Sequence, residues 1–344
     1  MPLVIALYGC SGKNNTGKGR ADGQKIRIVA TTFPQYDWVR EILGSSAENV
    51  DMTLLQRGGG DLHNYQPSVD DIVKISESDL FIYIGGESDS WVSATLKKTS
   101  NSNMITLNLL EALGEDAKEE LMVEGMEGNV PGHNDHTGHN DHTDHNDHHG
   151  HAGGDAAMRE IDDDETEYDE HVWLSLKNAR KLCAAITGAL SSLDSANAAE
   201  YQSNLAAYIE RLSALDAEYA AVVNAASAKT LLFGDRFPFR YLFDDYGLKY
   251  YAAFPGCSAE TEASFETIVF LAKRMDDLKL RNVMVTESAD KSIAKTIIDN
   301  SKAKNQEILA LDSMQSVTSG DIRGGLTFLS VMETNLNVLK KALK

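Results

Sequence analysis

The first part of the chain alternates short apolar runs with amphipathic stretches. The apolar and β-branched runs over 25–32, 50–55 and 80–84 predict three strands. Between them, the spacing of Trp38 and Ile42 on one face predicts a helix over 33–43, and a similar pattern predicts a second helix over 69–76. Strands that alternate with helices in this way are typical of a parallel α/β layer.

The second part of the chain opens with a long helical seam and then repeats the α/β rhythm. The apolar positions of the seam are spaced alternately by four and three residues and comprise Tyr201, Leu205, Tyr208, Leu212, Leu215, Tyr219 and Val222. A helix of some 30 residues spans roughly 45 Å. The elements predicted after it are strands over 229–233, 282–286 and 308–311 and helices over 239–245, 265–277, 293–300 and 326–343. The pattern predicts an α/β protein of two lobes, each with a parallel sheet flanked by helices, joined by one long rigid helix.

The stretch from Glu115 to Asp169 interrupts the pattern, and we expect it to be a disordered surface loop. Its centre is a hexapeptide repeat rich in His, Asn and Asp. The repeat holds eight of the ten histidines, namely His133, His136, His139, His142, His145, His148, His149 and His151. Imidazoles at this spacing bind zinc, copper or nickel in many registers. The tract predicts accessory metal binding but does not reveal what the metal is for.

Charge and cysteine content narrow the classes of protein. The formal net charge is −20, which makes nucleic acid and anionic lipid poor partners. The three cysteines form no disulfide framework. Cys183 and Cys257 are compatible with a disulfide in an oxidising compartment, and Cys183 is equally compatible with a buried free thiol.

The first ten residues are an apolar run that ends in Leu7-Tyr8-Gly9-Cys10. This run resembles the end of a truncated signal peptide with a bacterial lipobox, in which Cys10 carries the lipid. The residues that follow are rich in Gly, Asn and Lys and read as a flexible tether. We therefore expect an extracytoplasmic protein that meets the membrane only through a lipid anchor. We divide the chain into this leader and tether (1–24), an N-terminal lobe (25–190), the connecting helix (191–227) and a C-terminal lobe (228–344).

Two histidines lie outside the tract, each near the start of a predicted helix. His63 follows a strand and the turn Gly58-Gly59-Gly60, and His171 lies in Asp169-Glu170-His171-Val172-Trp173-Leu174. Such positions lie at the mouth of an α/β layer, where clefts form. Two imidazoles with one or two carboxylates suit Zn²⁺ and also Mn²⁺ or Fe²⁺, and the composition of the loop favours zinc.

The ordered combination of these segments resembles a known family. Asp61-Leu62-His63-Asn64-Tyr65-Gln66-Pro67, a His/Asp-rich loop, His171-Val172-Trp173-Leu174 and a long helix are similar to the metal-specific substrate-binding proteins of ABC importers, the ZnuA-like and TroA-like cluster A-I. The resemblance covers about residues 25–344. It implies a monomer that holds one metal ion between its lobes and hands it to an importer permease.

The resemblance also implies a set of ligands. His63 and His171 match two histidine ligands of the family, and Asp312 matches a carboxylate ligand from the second lobe. A third His or Glu ligand normally occupies the position that aligns with Gly234, which has no side chain to donate. Asp235 is the favoured replacement; the alternatives are a water, a histidine of the loop, or Glu260 or Glu262. Arg236 is either a partner of a carboxylate ligand or part of a surface ion pair.

Other functions remain in competition with metal import. The His-rich loop alone would suit a metal-storage or chaperone lipoprotein that is not coupled to transport. A zinc hydrolase would need an open coordination position, but the chain contains neither HExxH nor Gly-x-Ser-x-Gly. We therefore expect a binding protein and not an enzyme.

Overall fold

The computed structural model describes residues 25–60, 62–127, 167–258 and 262–344. These residues form two four-stranded sheets in which every strand pairing is parallel. The first sheet has the order β2-β1-β3-β4, with β1 (Ile26–Ala30), β2 (Val50–Leu54), β3 (Leu80–Tyr83) and β4 (Ile105–Asn108). The second has the order β6-β5-β7-β8, with β5 (Thr230–Phe237), β6 (Lys249–Pro255), β7 (Asn282–Thr286) and β8 (Glu307–Leu311). The two-lobed α/β fold predicted from the sequence is confirmed.

Eleven α-helices accompany the two sheets in the described ranges. They are α1 (Phe33–Leu43), α2 (Val69–Glu77), α3 (Trp91–Leu96), α4 (Leu109–Leu113), α5 (Leu176–Leu193), α6 (Ala198–Ala225), α7 (Arg240–Tyr246), α8 (Phe265–Asp277), α9 (Ser292–Asn300), α10 (Ser319–Arg323) and α11 (Phe328–Ala342). Their starts follow local chemistry: at α2, Ser68 and Asp71 form a reciprocal capping box. The helices predicted from apolar spacing are all present, with ends shifted by a few residues.

Helix α6 has 28 residues, or about 42 Å at the usual rise. It packs against α1 and α5 on the side of the first lobe and against α7 and α11 on the side of the second. The predicted seam is buried from Tyr201 to Tyr219, but in the last turn Val223 is buried and Val222 only partly so. Since 3.6 residues make a turn, the buried stripe drifts by one position over so long a helix.

The two lobes share one apolar core along α6. The same cluster of buried side chains includes Trp38 of the first lobe, Tyr208 of α6 and Phe243 of the second lobe. Polar bonds also cross between the lobes: Trp173 Nε1 donates to the Ser313 carbonyl at 2.9 Å, and the backbone N–H of Phe328 donates to Asp37 at 2.8 Å. Because separating the lobes would expose this core, we expect small lobe shifts rather than wide opening.

The stretch predicted as a disordered loop is ordered at both of its described ends. Glu119 forms an antiparallel bridge with Tyr168, and the Glu120 N–H donates to the Glu167 carbonyl at 2.8 Å. The Glu127 N–H donates to Ala253 of β6, also at 2.8 Å. The prediction was therefore wrong for 115–127 and 167–169, because this stretch pairs its backbone with neighbouring segments and packs Ala117 and Met126 against the main core.

Several sequence predictions lie outside the described residues. These are the lipidation site Cys10, the histidine tract over 133–151 and the alternative ligand Glu260. Within the described ranges, no helix combines the length and the apolar character that a membrane span requires. Cys183 and Cys257 are both free thiols, so the open question of a disulfide between them is answered in favour of free cysteines.

Candidate metal centre

His63 lies in a short 3₁₀ turn, Leu62–Asn64, in the loop that follows β2. The neighbouring Leu62 is buried and anchors the turn. The Nδ1 atom of His63 is 2.8 Å from Ser88 Oγ and 3.7 Å from a carboxylate oxygen of Glu170. Both contacts are made by Nδ1, and Nε2 lies on the other side of the imidazole ring.

His171 is fully buried and directly precedes the turn Val172–Leu174, whose three residues are buried as well. One carboxylate oxygen of Asp169 accepts hydrogen bonds from both the backbone N–H and the Nδ1–H of His171, each at 2.9 Å. A carboxylate at Nδ1 fixes the tautomer in which Nε2 carries the lone pair. The His171 ring is therefore held in the orientation and tautomer of a metal ligand.

The two imidazoles meet through their Nε2 atoms, which are 3.4 Å apart. Zn–N bonds of about 2.0–2.1 Å at a tetrahedral angle place two nitrogen ligands about 3.3–3.4 Å apart. Two lone pairs at this distance repel each other unless a proton or a cation lies between them. The separation is thus already that of two ligands on one zinc ion.

Cys257 is the third residue of this cluster. One ligand atom from each of His63, His171 and Cys257 lies within 4.8 Å of the other two, the one such group of His, Cys and carboxylate side chains found in the described ranges. Cys257 follows β6, an edge strand that the apolar pattern did not predict. Sequence reasoning considered this cysteine only for a disulfide, because no local pattern in the sequence links it to the histidines.

Gly256 permits the close approach of the β6 loop to the histidine. A Cβ atom at this position would lie 3.0 Å from Cε1 of His171 and 3.0 Å from the Phe237 carbonyl oxygen. The next residue is tied down as well, since the Cys257 N–H donates to a carboxylate oxygen of Glu120 at 3.0 Å. Because residue 256 has no side chain, the loop after β6 in the second lobe can contact His171 of the first lobe.

Carboxylates surround the cluster. A cavity of about 200 Å³ is lined by His63, Glu87, Ser88, Glu120, Glu167, Tyr168, Glu170 and Cys257. Glu170 is 2% exposed, and its Oε2 accepts no hydrogen bond from the described part of the chain. Burial raises the pKa of Glu170 to about 7, against the effect of hydrogen bonds from Ser88. Gly86 provides room for this side chain, because a Cβ there would lie 2.4 Å from a Glu170 oxygen.

Burial also raises the pKa of the Cys257 thiol, and the charges of Glu120, Asp169 and Glu170 act in the same direction. A hydrogen bond from the Glu170 backbone N–H acts in the opposite direction. An acidic, partly dry site of this kind disfavours an additional anion and favours a cation. The electrostatics of the site are therefore suited to binding a cation.

The predicted carboxylate ligands lie outside the three-residue group. Asp235 accepts hydrogen bonds from the backbone N–H of Thr286, at 3.0 Å, and from its hydroxyl. Asp312 accepts the backbone N–H of Met314 at 2.8 Å, and burial raises its pKa to about 6, with the charge of Glu287 acting in the same direction. Their role as ligands stays a prediction.

The surroundings of Gly234 add a steric reason for a glycine at this position. A Cβ added to Gly234 would lie 2.7 Å from the Cα of Ala294 in α9. A side chain at this position would therefore meet a helix of the second lobe instead of entering the cleft. Close packing of β5 against α9 therefore favours glycine at 234, and the missing ligand implied by the resemblance stays a prediction.

The remaining predicted residues lie near the interlobe cleft or at the surface. Arg236 donates from Nη1 to the Ser258 carbonyl at 3.2 Å and lines a cavity of about 180 Å³ with Gly59 and Gly256. Glu262 is exposed. Neither residue belongs to the three-residue group.

Comparison with known proteins gives a consistent family. Residues 28–342 match the family described as "ZnuA: Zinc-uptake complex component A periplasmic". The "Zinc-binding lipoprotein AdcA" of Streptococcus pneumoniae serotype 4 is 30% identical over 98% of this chain, which spans 58% of that protein. The "High-affinity zinc uptake system protein ZnuA" of Bacillus subtilis is 28% identical over 99% of this chain and 94% of its own length.

Solved structures show the same architecture. The Zn(II)-bound ZnuA-like domain of Streptococcus pneumoniae AdcA superposes with a TM-score of 0.66 at 26% identity, covering 93% of this chain and 99% of that domain. The periplasmic zinc-binding protein TroA from Treponema pallidum, at 20% identity, shares the fold with a TM-score of 0.69 over 93% of this chain and 99% of its own. The family match covers nearly the whole chain, and the structure has a paired-histidine site between two α/β lobes. This chain belongs to the ZnuA family, the periplasmic components of zinc-uptake complexes, whose members are metal-binding proteins and not enzymes.

Proposed function

We propose that this protein captures a divalent metal ion, Zn²⁺ in the first place, at His63 and His171 and delivers it to an ABC importer. The observation that carries the proposal is the pair of Nε2 atoms 3.4 Å apart, each on a ring whose Nδ1 already has a partner. An arrangement that presents two imidazole nitrogens at a zinc-like separation is suited to binding a metal ion.

Zinc is favoured over the alternatives Mn²⁺ and Fe²⁺ for two reasons. Two convergent imidazoles are typical of zinc sites, whereas manganese prefers carboxylate and water oxygens. The relatives AdcA and ZnuA are named as zinc-binding or zinc-uptake proteins, and a Zn(II)-bound structure exists for the AdcA domain. The cargo of this chain is therefore proposed to be zinc.

The cellular setting is proposed to be extracytoplasmic. The matched family is described as periplasmic, and AdcA is named a lipoprotein. A lipid on Cys10 would hold the protein at the membrane beside the importer permease, with the monomer as the functional unit. Replacing Cys10 with Ser in the native host and separating membrane from soluble protein tests the anchor, because an unlipidated chain leaves the membrane fraction.

We assign an accessory role to the histidine tract over 133–151. Interspersed imidazoles bind metal weakly and in several registers, because ordering such a segment costs conformational entropy. Deleting 133–151 should leave one tight zinc equivalent and lower only the number of weakly bound ions. If all tight binding disappears with the tract, the protein is a storage or chaperone lipoprotein instead.

The site itself is tested by replacing each histidine in the full chain. His63→Ala and His171→Ala should each weaken the tight zinc equivalent at least about 100-fold, since losing a mere hydrogen-bonding partner of a ligand already costs 10–100-fold. His142→Ala, within the tract, is the matched control and should leave the tight equivalent unchanged. Competition with a chromogenic chelator measures the affinity, and unchanged binding in both site variants refutes the proposal.

Delivery needs a separate experiment in cells. Uptake of radioactive zinc is measured in the native host after its own copy is replaced by the wild-type, His171→Ala or His142→Ala chain. We expect uptake at low external zinc to fail with His171→Ala and to persist with His142→Ala. Equal uptake with all three chains would show that captured metal is not passed to an importer.

A further inference from the structure

We infer that Cys257 is the third ligand of the cleft metal, as a thiolate, and that it directs the site toward thiophilic ions such as Zn²⁺ and away from Mn²⁺. The inference rests on the proposed function of His63 and His171. It goes beyond that function by adding a ligand from the second lobe and a chemical basis for selecting the cargo.

The distances bring the sulfur within reach of the ion. One ligand atom of Cys257 lies within 4.8 Å of those of both histidines. A Zn–S bond of about 2.3 Å and a Zn–N bond of about 2.0–2.1 Å at a tetrahedral angle place sulfur and nitrogen about 3.6 Å apart. A displacement of little more than about 1 Å, within the range of a side-chain rotation, therefore completes a three-ligand site.

The backbone around Cys257 is built for this approach. Gly256 packs so closely on His171 that a Cβ would be 3.0 Å from the ring, and the Cys257 N–H is held by Glu120. Cys257 lines the same cavity as His63 and is only partly exposed. The loop after β6 thus presents one thiol to the two imidazoles, and Cys183, the other described cysteine, is buried in the shared core.

Binding of the metal ion by Cys257 releases one proton. When the ion binds, the Cys257 S–H bond breaks, its proton passes to solvent and the sulfur electron pair forms the bond to the metal. One thiolate and two neutral imidazoles leave a single positive charge on a divalent ion. The nearby carboxylate of Glu170, 3.7 Å from His63, offsets part of that charge. The fourth tetrahedral position stays open for water or for the predicted ligand Asp312.

A sulfur ligand also explains how one cleft can discriminate among metals. Thiolates bind zinc, cobalt and similar ions strongly, whereas manganese prefers oxygen ligands. Replacing the sulfur with an oxygen donor at the same position should therefore shift the preference between metals more than it shifts the total binding. Cys257→Asp provides that replacement, and Cys257→Ser removes the thiolate with the smallest change in volume.

The test uses Co²⁺ as a spectroscopic probe of the full chain under reducing conditions. At saturating Co²⁺, the wild type should show the sulfur-to-cobalt charge-transfer absorption of a thiolate ligand. A Cys10→Ser/Cys183→Ala chain, in which Cys257 is the remaining cysteine, should keep this absorption, and Cys257→Ser should lose it. Zinc affinity should fall more than about 10-fold in Cys257→Ser, and the preference for Zn²⁺ over Mn²⁺ should fall in Cys257→Asp.

The outcomes separate this inference from the function on which it rests. If the Cys10→Ser/Cys183→Ala chain lacks the absorption at saturating Co²⁺, Cys257 is not a ligand, even if a Cys257 variant folds poorly. If zinc binding still depends on His63 and His171 in that case, the proposed function stands and only the cysteine ligand is overturned. If His63→Ala and His171→Ala retain tight zinc, the proposed function itself fails.

Discussion

The hydrogen bond between Asp169 and His171 offers a quantitative test of how the site is organised. Asp169 is 2% exposed, and one of its oxygens accepts both the backbone N–H and the ring Nδ1–H of His171. Bonds to a charged acceptor contribute about 1.5–3 kcal/mol, against about 0.5–1.5 kcal/mol for neutral partners. When a metal withdraws electrons through Nε2, the Nδ1–H becomes a stronger donor and its bond to the carboxylate strengthens.

This difference predicts a graded loss of zinc affinity. Asp169→Asn keeps an oxygen acceptor without the charge, and we expect a loss of about 10-fold, or about 1.4 kcal/mol. Asp169→Ala removes the acceptor and frees the ring, and we expect a loss of about 100-fold, or about 2.7 kcal/mol. The order of the two variants follows from the structure and does not depend on the absolute affinity of the wild type.

The assay is competition for zinc with a chromogenic chelator, in a chain that lacks 133–151 and in the full chain. Asp245→Asn is the matched control, because Asp245 is half-buried and accepts a hydrogen bond from Ser175 at 2.6 Å without contacting either histidine. Thermal unfolding of the metal-free variants separates loss of fold from loss of affinity. Wild-type affinity in both Asp169 variants would refute the reasoning that this carboxylate orients a ligand.

Four further predictions follow from single features. Zinc affinity should fall about 10–100-fold between pH 7.5 and 5.5, because protons compete for the imidazole nitrogens, and a titration with equal affinities at both values would contradict imidazole ligation. Gly256→Ala should weaken zinc binding about 10-fold by crowding His171, whereas Gly188→Ala, in an open helical position, should not; equal affinities would contradict the close contact. Asp312→Asn should lower zinc affinity if Asp312 is the fourth ligand, and an unchanged affinity by chelator competition would remove it from the site. Burial raises the pKa of Asp37 to about 6, so ionising this carboxyl in the folded state lowers the free energy of unfolding by about 2–3 kcal/mol above pH 6 and by nothing below the unfolded pKa near 3.8. Urea unfolding should therefore show that Asp37→Asn gains stability relative to wild type as pH rises from 4 to 7. A difference that does not change with pH would contradict this.

The fold could be predicted because its central elements carry strong periodic signals. Strands β1, β3, β5 and β7 occupy inner positions of the two sheets and read as apolar runs. The strands that escaped prediction, β4 and β6, lie at sheet edges, where one side pairs with no other strand of the described chain. Edge position alone does not explain these misses, because the edge strands β2 and β8 were predicted. β4 has only four residues, two of them polar, whereas β6 is apolar from Tyr250 to Pro255 and was missed despite that pattern.

The structure brings together two of the predicted ligands, His63 and His171, and their role as ligands stays a prediction. Each histidine stands beside residues that position it locally, Asp169 for His171 and Leu62 for His63, and such short-range patterns are visible in sequence. The approach of Cys257 depends on how the second sheet faces the first, which is set by the core along α6. No local pattern encodes that contact, so a residue 86 positions from His171 could not be placed beside it without the structure.

The position of Gly234 raises the question of which loop of the second sheet supplies a ligand. All strands of such a sheet end at the same edge, so the loops after β5, β6, β7 and β8 converge on one region. A ligand required from the second lobe is therefore not tied to one loop: a residue after β6 reaches the same region as one after β5. Gly234 packs against α9, and Gly256 brings the neighbouring loop to His171. On this reasoning the coordination sphere is not one ligand short, because Cys257 supplies from the adjacent strand a donor that the β5 position does not provide.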